Sequence, residues 1–266
     1  MHRRVVATVA AVALLLVAGC SALPVFDGPG STPTATPSHA ADGTPTATAA
    51  PVEYPEGYGA TGVVDADAAA ANHERALSGY DSYRYRFDVG VGNGTGTTDA
   101  FVYLLRVDHT DQQALEIRDD GDATRFQYFE TDRLYLKLEA GQDVTYNSTD
   151  HRYVRERFSG IQFLAPLFDH VDYGGPDIRG TDNGTYYRYR SEAVTDGAAI
   201  LPADVTDEEI ASFDVTLVVH EDGSVRAARY DVVTERDTHL SALATVEAVN
   251  DTSVERPDWV ARAADD

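Results

Sequence analysis

Few residue patterns in this chain have the type and spacing that catalysis or metal binding requires. The sequence contains no Gly-x-Ser-x-Gly nucleophile turn, no His-Glu-x-x-His zinc motif and no Walker phosphate loop. The histidines lie at no ligand spacing, and Asp119-Asp120-Gly121-Asp122 lacks the alternating carboxylates and distal glutamate of a calcium loop, which favours a tight turn. A carboxylate pair of the glycosidase type is not excluded by the sequence, but 44 acidic residues guarantee coincidental pairs, and the sequence does not distinguish among them. We expect no catalytic residue, no metal site and no cofactor.

The strongest chemical signal is the single cysteine, Cys20. Arg3 and Arg4 precede an apolar run over residues 5–18, whose 14 residues are too few to span a bilayer comfortably. The run ends in Val17-Ala18-Gly19-Cys20, which resembles a lipobox, the signal in which the cysteine is lipidated and becomes the first mature residue. We therefore expect a signal peptide over residues 1–19 and a lipid on Cys20, which would hold the protein at the extracytoplasmic face of the cell membrane. The arginine pair resembles a twin-arginine export signal, and the Sec route stays open.

The charge composition predicts a halophilic protein and excludes a nucleic-acid partner. The formal net charge is −23, and Lys137 is the only lysine. Multimolar salt screens such self-repulsion, since the Debye length is about 3 Å at 1 M. An acidic protein that binds cations or basic partners is the alternative, although the acids are spread along the chain. No basic stripe exists that could neutralise nucleic-acid phosphates.

A low-complexity segment separates Cys20 from the globular part. Residues 27–51 are almost entirely Pro, Thr, Ala, Ser and Gly, which cannot offset their ordering entropy, so we expect a disordered, lipid-anchored linker over residues 20–60. Beyond it lie four candidate N-glycosylation sites, each in a predicted turn or strand end: Asn93, Asn147, Asn183 and Asn250.

Residues 61–261 form one predicted α+β domain. A helix should begin at an Asp65 or Asp67 cap and end near Gly79, and residues 82–89 alternate perfectly between apolar and polar, as a half-buried strand does. Gly90 to Gly96 predict a turn. Further strands are predicted at residues 101–107, 114–118, 124–130, 134–138, 185–190, 213–219, 225–234 and 240–249.

Between these two groups of strands, residues 151–171 place apolar side chains at three- and four-residue spacings. This pattern predicts an amphipathic helical segment, interrupted at Gly160 and Pro166. The chain thus has two runs of consecutive strands and two helical segments. This arrangement favours a single curved antiparallel β-sheet, a half-barrel, with helices packed on its concave face. A closed, lipocalin-like barrel is the alternative.

Two resemblances carry expectations about function. The order of lipobox, spacer, Tyr54-Pro55-Glu56-Gly57-Tyr58-Gly59, a helix with His73, and a late Asp222-Gly223-Ser224-Val225 hairpin resembles a haloarchaeal lipoprotein family of unknown function. More distantly, the helix followed by a Ser-Tyr strand and a long meander resembles the LolA-like and LppX-like lipoprotein-carrier fold. That resemblance implies an acyl-chain cradle between sheet and helices. Since the LolA carrier is unlipidated, the lipobox departs from that type.

Aromatic residues concentrated on strand faces could line an apolar pocket or fill a packed core. If a pocket exists, we expect these residues to line it: Phe101, Tyr103, Leu105, Leu134, Leu136, Phe158, Ile161 and Leu164. The first functional hypothesis is a non-enzymatic lipoprotein that binds a lipid or another hydrophobic molecule at the outer face of the membrane. The second is a non-catalytic interaction or structural module that contacts another cell-envelope protein.

Overall fold

A computed structural model describes residues 51–93, 97–201 and 210–265. The predicted signal peptide, Cys20 and most of the predicted linker lie outside these ranges. Within them, no helix is both long and apolar enough to cross a membrane.

Fourteen strands and three α-helices make up the described chain. The first elements are β1 (Tyr58–Gly59), β2 (Gly62–Val63) and α1 (Ala66–Gly79). A first group of long strands follows: β3 (Ser82–Asn93), β4 (Thr97–Asp108), β5 (Gln113–Asp119), β6 (Ala123–Phe129), β7 (Arg133–Ala140) and β8 (Asp143–Asp150). After α2 (Ala165–Asp169) come β9 (Val171–Tyr173), β10 (Asp177–Thr181), β11 (Gly184–Val194), β12 (Ile210–His220), β13 (Val225–Thr234), β14 (Thr238–Glu247) and α3 (Val260–Asp265).

The long strands form two antiparallel meanders joined into one sheet. The order is β10-β11-β12-β13-β14-β3-β4-β5-β6-β7-β8, and β9 pairs with β11. The two groups meet where β14 pairs with β3 over residues 84–93. Among the described residues β8 and β10 each pair on one side only, so the sheet is open and the alternative of a closed barrel is wrong. The predicted α+β class is confirmed.

Helix α1 begins and ends where its sequence predicts. The Asp65 carboxylate accepts a hydrogen bond from the Ala68 amide at 3.0 Å, which satisfies one of the free amides of the first turn. Ala69, His73 and Leu77 lie on one buried stripe of the helix. This stripe packs α1 against the sheet side that carries Tyr83 and Tyr85, which we call the inner face.

The segment between β8 and β9 connects opposite edges of the sheet, so it crosses the inner face. It forms two 3₁₀ turns, at Arg155–Phe158 and Ile161–Phe163, followed by α2. Gly160 breaks the helical pattern as predicted, because it adopts the left-handed conformation with φ +69°. Pro166 does not interrupt the segment, however: it lies in the first turn of α2, where proline is tolerated. We call residues 151–170 the crossing segment.

The ends of the described chain also pack against the sheet. Tyr58, placed in the linker by composition, stacks on Tyr189 with ring centroids 5.7 Å apart and meets the edge of Phe168 at 6.3 Å. At the other end, Val260 and its neighbours in α3 pack on the outer face against Tyr128. The predicted glycine turn is shorter than expected, since β3 continues through Gly90 to Asn93.

Candidate functional site: a groove on the inner face

The inner face has a covered part and an open part. Over β3 and β4 its side chains are buried beneath the crossing segment: Tyr83, Tyr85 and Leu105 are at most 1% exposed. Phe163 of the crossing segment stacks on Phe87 at a centroid distance of 4.3 Å and contacts Tyr103 at 5.0 Å. This part of the sheet has a filled aromatic core.

Burial decreases along β6 and β7, away from the crossing segment. On β6 the inner-face residues change from buried Phe129 through half-buried Gln127 to exposed Arg125. On β7 Leu134 is buried, whereas Leu136 and Leu138 are only partly covered. The pairing register places these residues on one face, since Arg125 is opposite Leu138 and Gln127 is opposite Leu136. The crossing segment therefore covers only one end of these strands.

An open groove of about 320 Å³ occupies the uncovered end. The inner-face side chains that line it come from three adjacent strands: Arg125, Gln127, Leu136, Leu138, Thr145 and Asn147. A smaller hollow of about 170 Å³ adjoins it, shares Arg125 and Leu138, and adds Arg118, Asp120 and Ala123. We call the two hollows together the inner-face groove.

The groove is locally basic although the chain is strongly acidic. Arg118 lies opposite Arg125 across β5 and β6, and its guanidinium is 5.0 Å from the centre of the Phe101 ring. Glu116, two residues before Arg118, hydrogen-bonds the Tyr103 hydroxyl. Burial raises the pKa of Glu116, while Arg157, Tyr103 and the two groove arginines oppose that shift.

The residues predicted to line a ligand pocket are divided between core and groove. Tyr103, Leu105, Leu134, Phe158 and Leu164 are each at most 9% exposed within one packed hydrophobic cluster. Phe101, Leu136 and Ile161 are partly buried at the margin of that cluster. Of the eight, Leu136 lines the groove. Their role in binding a ligand stays a prediction.

Sequence reasoning missed most of the residues that line the groove. The residues concerned are Arg118, Arg125, Gln127, Leu138 and Thr145 as lining residues. The available signal was the alternation of β6, where Arg125, Gln127 and Phe129 share a face, read together with the tight turn at residues 119–122. That turn fixes Arg118 opposite Arg125.

A buried histidine ties α1 to the rest of the fold. His73 Nδ1 accepts a hydrogen bond from the Val225 amide at 3.0 Å, and Nε2 donates to the Ser159 carbonyl at 3.0 Å. Burial lowers the pKa of His73 to about 4. Both ring nitrogens are used by backbone, so the role of this neutral imidazole is structural.

A second polar cluster, at the turn between β12 and β13, resembles a catalytic triad in composition but not in geometry. His220 Nδ1 lies 3.0 Å from Asp222 Oδ1, and Ser224 Oγ donates to that same oxygen at 2.7 Å. His220 Nε2 lies 2.8 Å from the Asn183 carbonyl oxygen. In a triad the imidazole joins serine to aspartate; here the aspartate joins serine to histidine, so the imidazole does not face the serine hydroxyl.

Asp222 is held as a carboxylate. Burial raises its pKa, but hydrogen bonds from His220, Tyr80 and Ser224 outweigh burial and set the pKa well below the usual range. Its contacts fix the turn against α1. Within the described ranges, no group of three His, Cys, Asp or Glu side chains is placed to hold a metal ion.

The candidate glycosylation sites lie in different settings. Asn147 is exposed on β8, where it lines the groove, and Asn183 is exposed at the β10–β11 turn. Asn250 has φ +59°, and its side-chain oxygen accepts a hydrogen bond from the Asp81 amide at 2.8 Å. Asn93 is the last residue of β3. Their glycosylation stays a prediction.

The fold and the groove define the class of domain: an open antiparallel sheet with helices on its inner face and an amphipathic groove at one end. No protein-family model matches the chain, and no curated protein matches its sequence. Solved structures do show similarity. LprF from Mycobacterium bovis is 15% identical over 73% of this chain and 96% of its own, with a TM-score of 0.37.

Two further solved structures align over the same share of the chain. A LolA superfamily protein from Nitrosomonas europaea is 8% identical over 73% of this chain and 95% of its own, with a TM-score of 0.25. A chain of the MucA/MucB complex from Pseudomonas aeruginosa is 11% identical, covers 73% and 59% of the two chains, and has a TM-score of 0.28. With TM-scores below 0.5, the functional proposal rests on the groove itself.

Proposed function

We propose that this protein is a lipid-anchored, extracytoplasmic lipoprotein of a haloarchaeon that binds a hydrophobic or amphiphilic molecule in the inner-face groove. The main observation that supports this proposal is the partial exposure of Leu136 and Leu138 on a sheet face that is packed elsewhere. Burial of such exposed apolar surface against a ligand lowers the free energy, because the surface is removed from water. Because the aromatic core under the crossing segment is packed, we assign binding to the groove.

The size and shape of the groove favour a single hydrocarbon chain. Its volume of about 320 Å³ lies near the lower end of the ~300–1,000 Å³ range of small-molecule sites. The leucine pair of β7 forms the floor, with Gln127 of β6 on one side and Thr145 and Asn147 of β8 on the other. A chain lying along the leucines would keep a polar end at the rim or in solvent.

The anchor would place this groove close to lipid. Lipidation of Cys20 leaves residues 21–50 as a spacer, which has an r.m.s. random-coil reach of about 30 Å. We expect Cys20→Ser to move the protein from the membrane fraction to the medium. Retention of Cys20→Ser in washed membranes would refute attachment through this residue.

Two leucines, one in the groove and one on the outer face of the sheet, provide a test of ligand uptake. Leu138 lines the groove, whereas Leu243 is 42% exposed on the outer face of β14. In high salt, we expect the purified protein to take up a fluorescent fatty acid. Leu138→Glu should weaken uptake roughly tenfold, because a charge placed in an apolar contact must be desolvated, and Leu243→Glu should not. A clean apo mass in native mass spectrometry together with no uptake would contradict the proposal.

The halophilic origin is tested through salt. With a net charge of −23, the folded state should lose stability as sodium chloride is lowered from multimolar to 0.1 M, because the Debye length grows from about 3 to about 10 Å. The midpoint of thermal unfolding measures this. A midpoint independent of salt would contradict adaptation to high salt.

A non-catalytic contact with another envelope protein is the second candidate, favoured by the edge strand β8. Most of its residues are exposed, and within the described chain it pairs with β7 alone. Such an edge can accept a strand from a partner. A photoreactive residue at Thr149 should then capture one specific protein in cells, while the same residue at Ala211 of β12 should not.

A further inference from the structure

Two arginines face each other at one end of the inner-face groove. Arg118 of β5 and Arg125 of β6 are directly opposite in the register, and both line the smaller hollow. Like charges in this position are destabilising. Neither guanidinium forms a hydrogen bond or ion pair with any residue that the structure describes; the Arg118 group lies over the Phe101 ring.

The other charges around the pair leave a local excess of positive charge. Arg157 of the crossing segment adds a third guanidinium, since it acts electrostatically on Glu116 together with the groove arginines. The nearby carboxylates are Glu116, which hydrogen-bonds Tyr103, and Asp120, which accepts a hydrogen bond from the Ala123 amide at 3.0 Å. Both carboxylates therefore have protein partners of their own.

A second pair of facing arginines, on the outer face of the sheet, provides a comparison. Arg84 and Arg106 are opposite each other on the outer face of β3 and β4. There Arg84 also has Glu247 of β14 directly across from it. Arg118 and Arg125, by contrast, have Tyr103 and Leu138 as their other cross-strand neighbours. No carboxylate lies directly opposite either arginine of the groove pair.

We propose that the groove selects amphiphiles with an anionic headgroup, whose carboxylate or phosphate is held by Arg118 and Arg125 while its hydrocarbon lies along Leu138 and Leu136. This inference deepens the proposed function and rests on it. Guanidinium groups bind such anions through paired, charge-assisted hydrogen bonds. Leu138 is the cross-strand neighbour of Arg125, so headgroup and hydrocarbon sites adjoin.

The test compares headgroups on one chain length. Dodecanoate, monododecyl phosphate and the neutral dodecanol are titrated against the full chain in one high-salt buffer, with displacement of the neutral probe N-phenyl-1-naphthylamine as the readout. The same titrations use Arg118→Gln/Arg125→Gln, and Arg84→Gln/Arg106→Gln as the control with the same charge change on the outer face. Circular dichroism confirms folding of each variant.

We expect the wild type to bind at least one anionic probe about tenfold more tightly than dodecanol, as one or more charge-assisted hydrogen bonds provide. The groove variant should lose this preference while still binding dodecanol, and the outer-face control should keep it. Comparison of the two anionic probes separates a carboxylate from a phosphate ligand.

Each contrary result has its own meaning. Equal binding of all three probes to the wild type would overturn the anion selectivity and leave the proposed function standing. A preference that persists in the groove variant would equally overturn the assignment to these arginines. Failure of every probe to bind would refute the proposed function itself. Since the wild-type comparison needs no variant, a misfolded variant does not prevent a decision.

Discussion

The two ends of the inner face differ although their strands follow the same alternating rule. On β3 the inward residues Tyr83, Tyr85 and Phe87 are at most 6% exposed, whereas on β6 they change from buried Phe129 to exposed Arg125. The difference arises from the path of the crossing segment, which covers the inner face from Tyr83 to Phe87 and from Tyr103 to Val107 but covers β6 and β7 only at one end. The covered part maintains the fold, and the open part is free to bind.

The largest expected effect contrasts two inward-facing leucines. Leu105 of β4 is 1% exposed under the crossing segment, and Leu138 of β7 lines the groove. Leu105→Ala should lower the free energy of unfolding by about 2–5 kcal/mol, because it leaves a cavity in a packed core. Leu138→Ala should cost about 1 kcal/mol or less, since solvent already reaches the site. Chemical denaturation measures both, and equal costs would contradict the division into covered and open parts.

Acid should destabilise the covered part through His73. Its pKa is about 4 in the folded state and 6.5 when unperturbed, so the unfolded chain binds a proton first as pH falls. Stability contributed by the neutral imidazole is therefore complete above pH 6.5 and is lost between pH 6.5 and 4, by about 3 kcal/mol.

The variant His73→Gln isolates this contribution. It should be less stable than the wild type at pH 7, because glutamine cannot bond both backbone partners, but its stability should fall less steeply with acid. His109, whose pKa burial also lowers to about 4, remains in both proteins and cancels in the difference. Parallel pH profiles for the two proteins would show that His73 does not titrate as described.

A smaller effect is expected from a pair of turn glycines. Gly223, at the β12–β13 turn beside α1, has φ +89°, and a Cβ there would lie 2.0 Å from Asn72 Nδ2; Gly121 near the groove has φ +86° and nothing within 4 Å. Gly121→Ala should cost about 1–2 kcal/mol from backbone strain alone. Gly223→Ala should cost about 1–3 kcal/mol more.

Removal of the Asn72 side chain provides the control for this clash. In an Asn72→Ala background the additional cost of Gly223→Ala should largely disappear, because the atom that the new Cβ would meet is absent. Thermal unfolding of the four proteins completes the cycle. An unchanged cost would mean that the turn is not pressed against α1.

Local sequence signals predicted α1 and most of the long strands but not β8, β9 or β10, and long-range pairing decided the arrangement of the strands. The Asp65 cap and the alternation from Tyr83 to Val89 follow from neighbouring residues, so α1 and the start of β3 lie where expected. The union of β14 with β3 joins residues far apart in sequence and fixes the route of the crossing segment. That route decided which predicted lining residues became core, such as Leu164, and which stayed open, such as Leu136.

The groove chemistry was partly accessible from sequence. The tight turn at residues 119–122 fixes the register of β5 and β6, and thereby the facing of Arg118 and Arg125. That neither guanidinium forms an ion pair with a described residue depends on the whole fold. The C-terminal helix on the outer face was not predicted, since residues 254–265 carry too short an apolar pattern to place them.

The location of a bound hydrocarbon tests the central claim most directly. A fatty acid with a diazirine in its chain, irradiated with the purified protein in high salt and mapped by peptide mass spectrometry, reports which strands it touches. The open groove predicts labels within residues 123–150, on β6 to β8, and their loss in Leu138→Glu. Labels concentrated on α1 or on β12 and β13, or no label at all, would contradict the assignment of binding to the open end of the inner face.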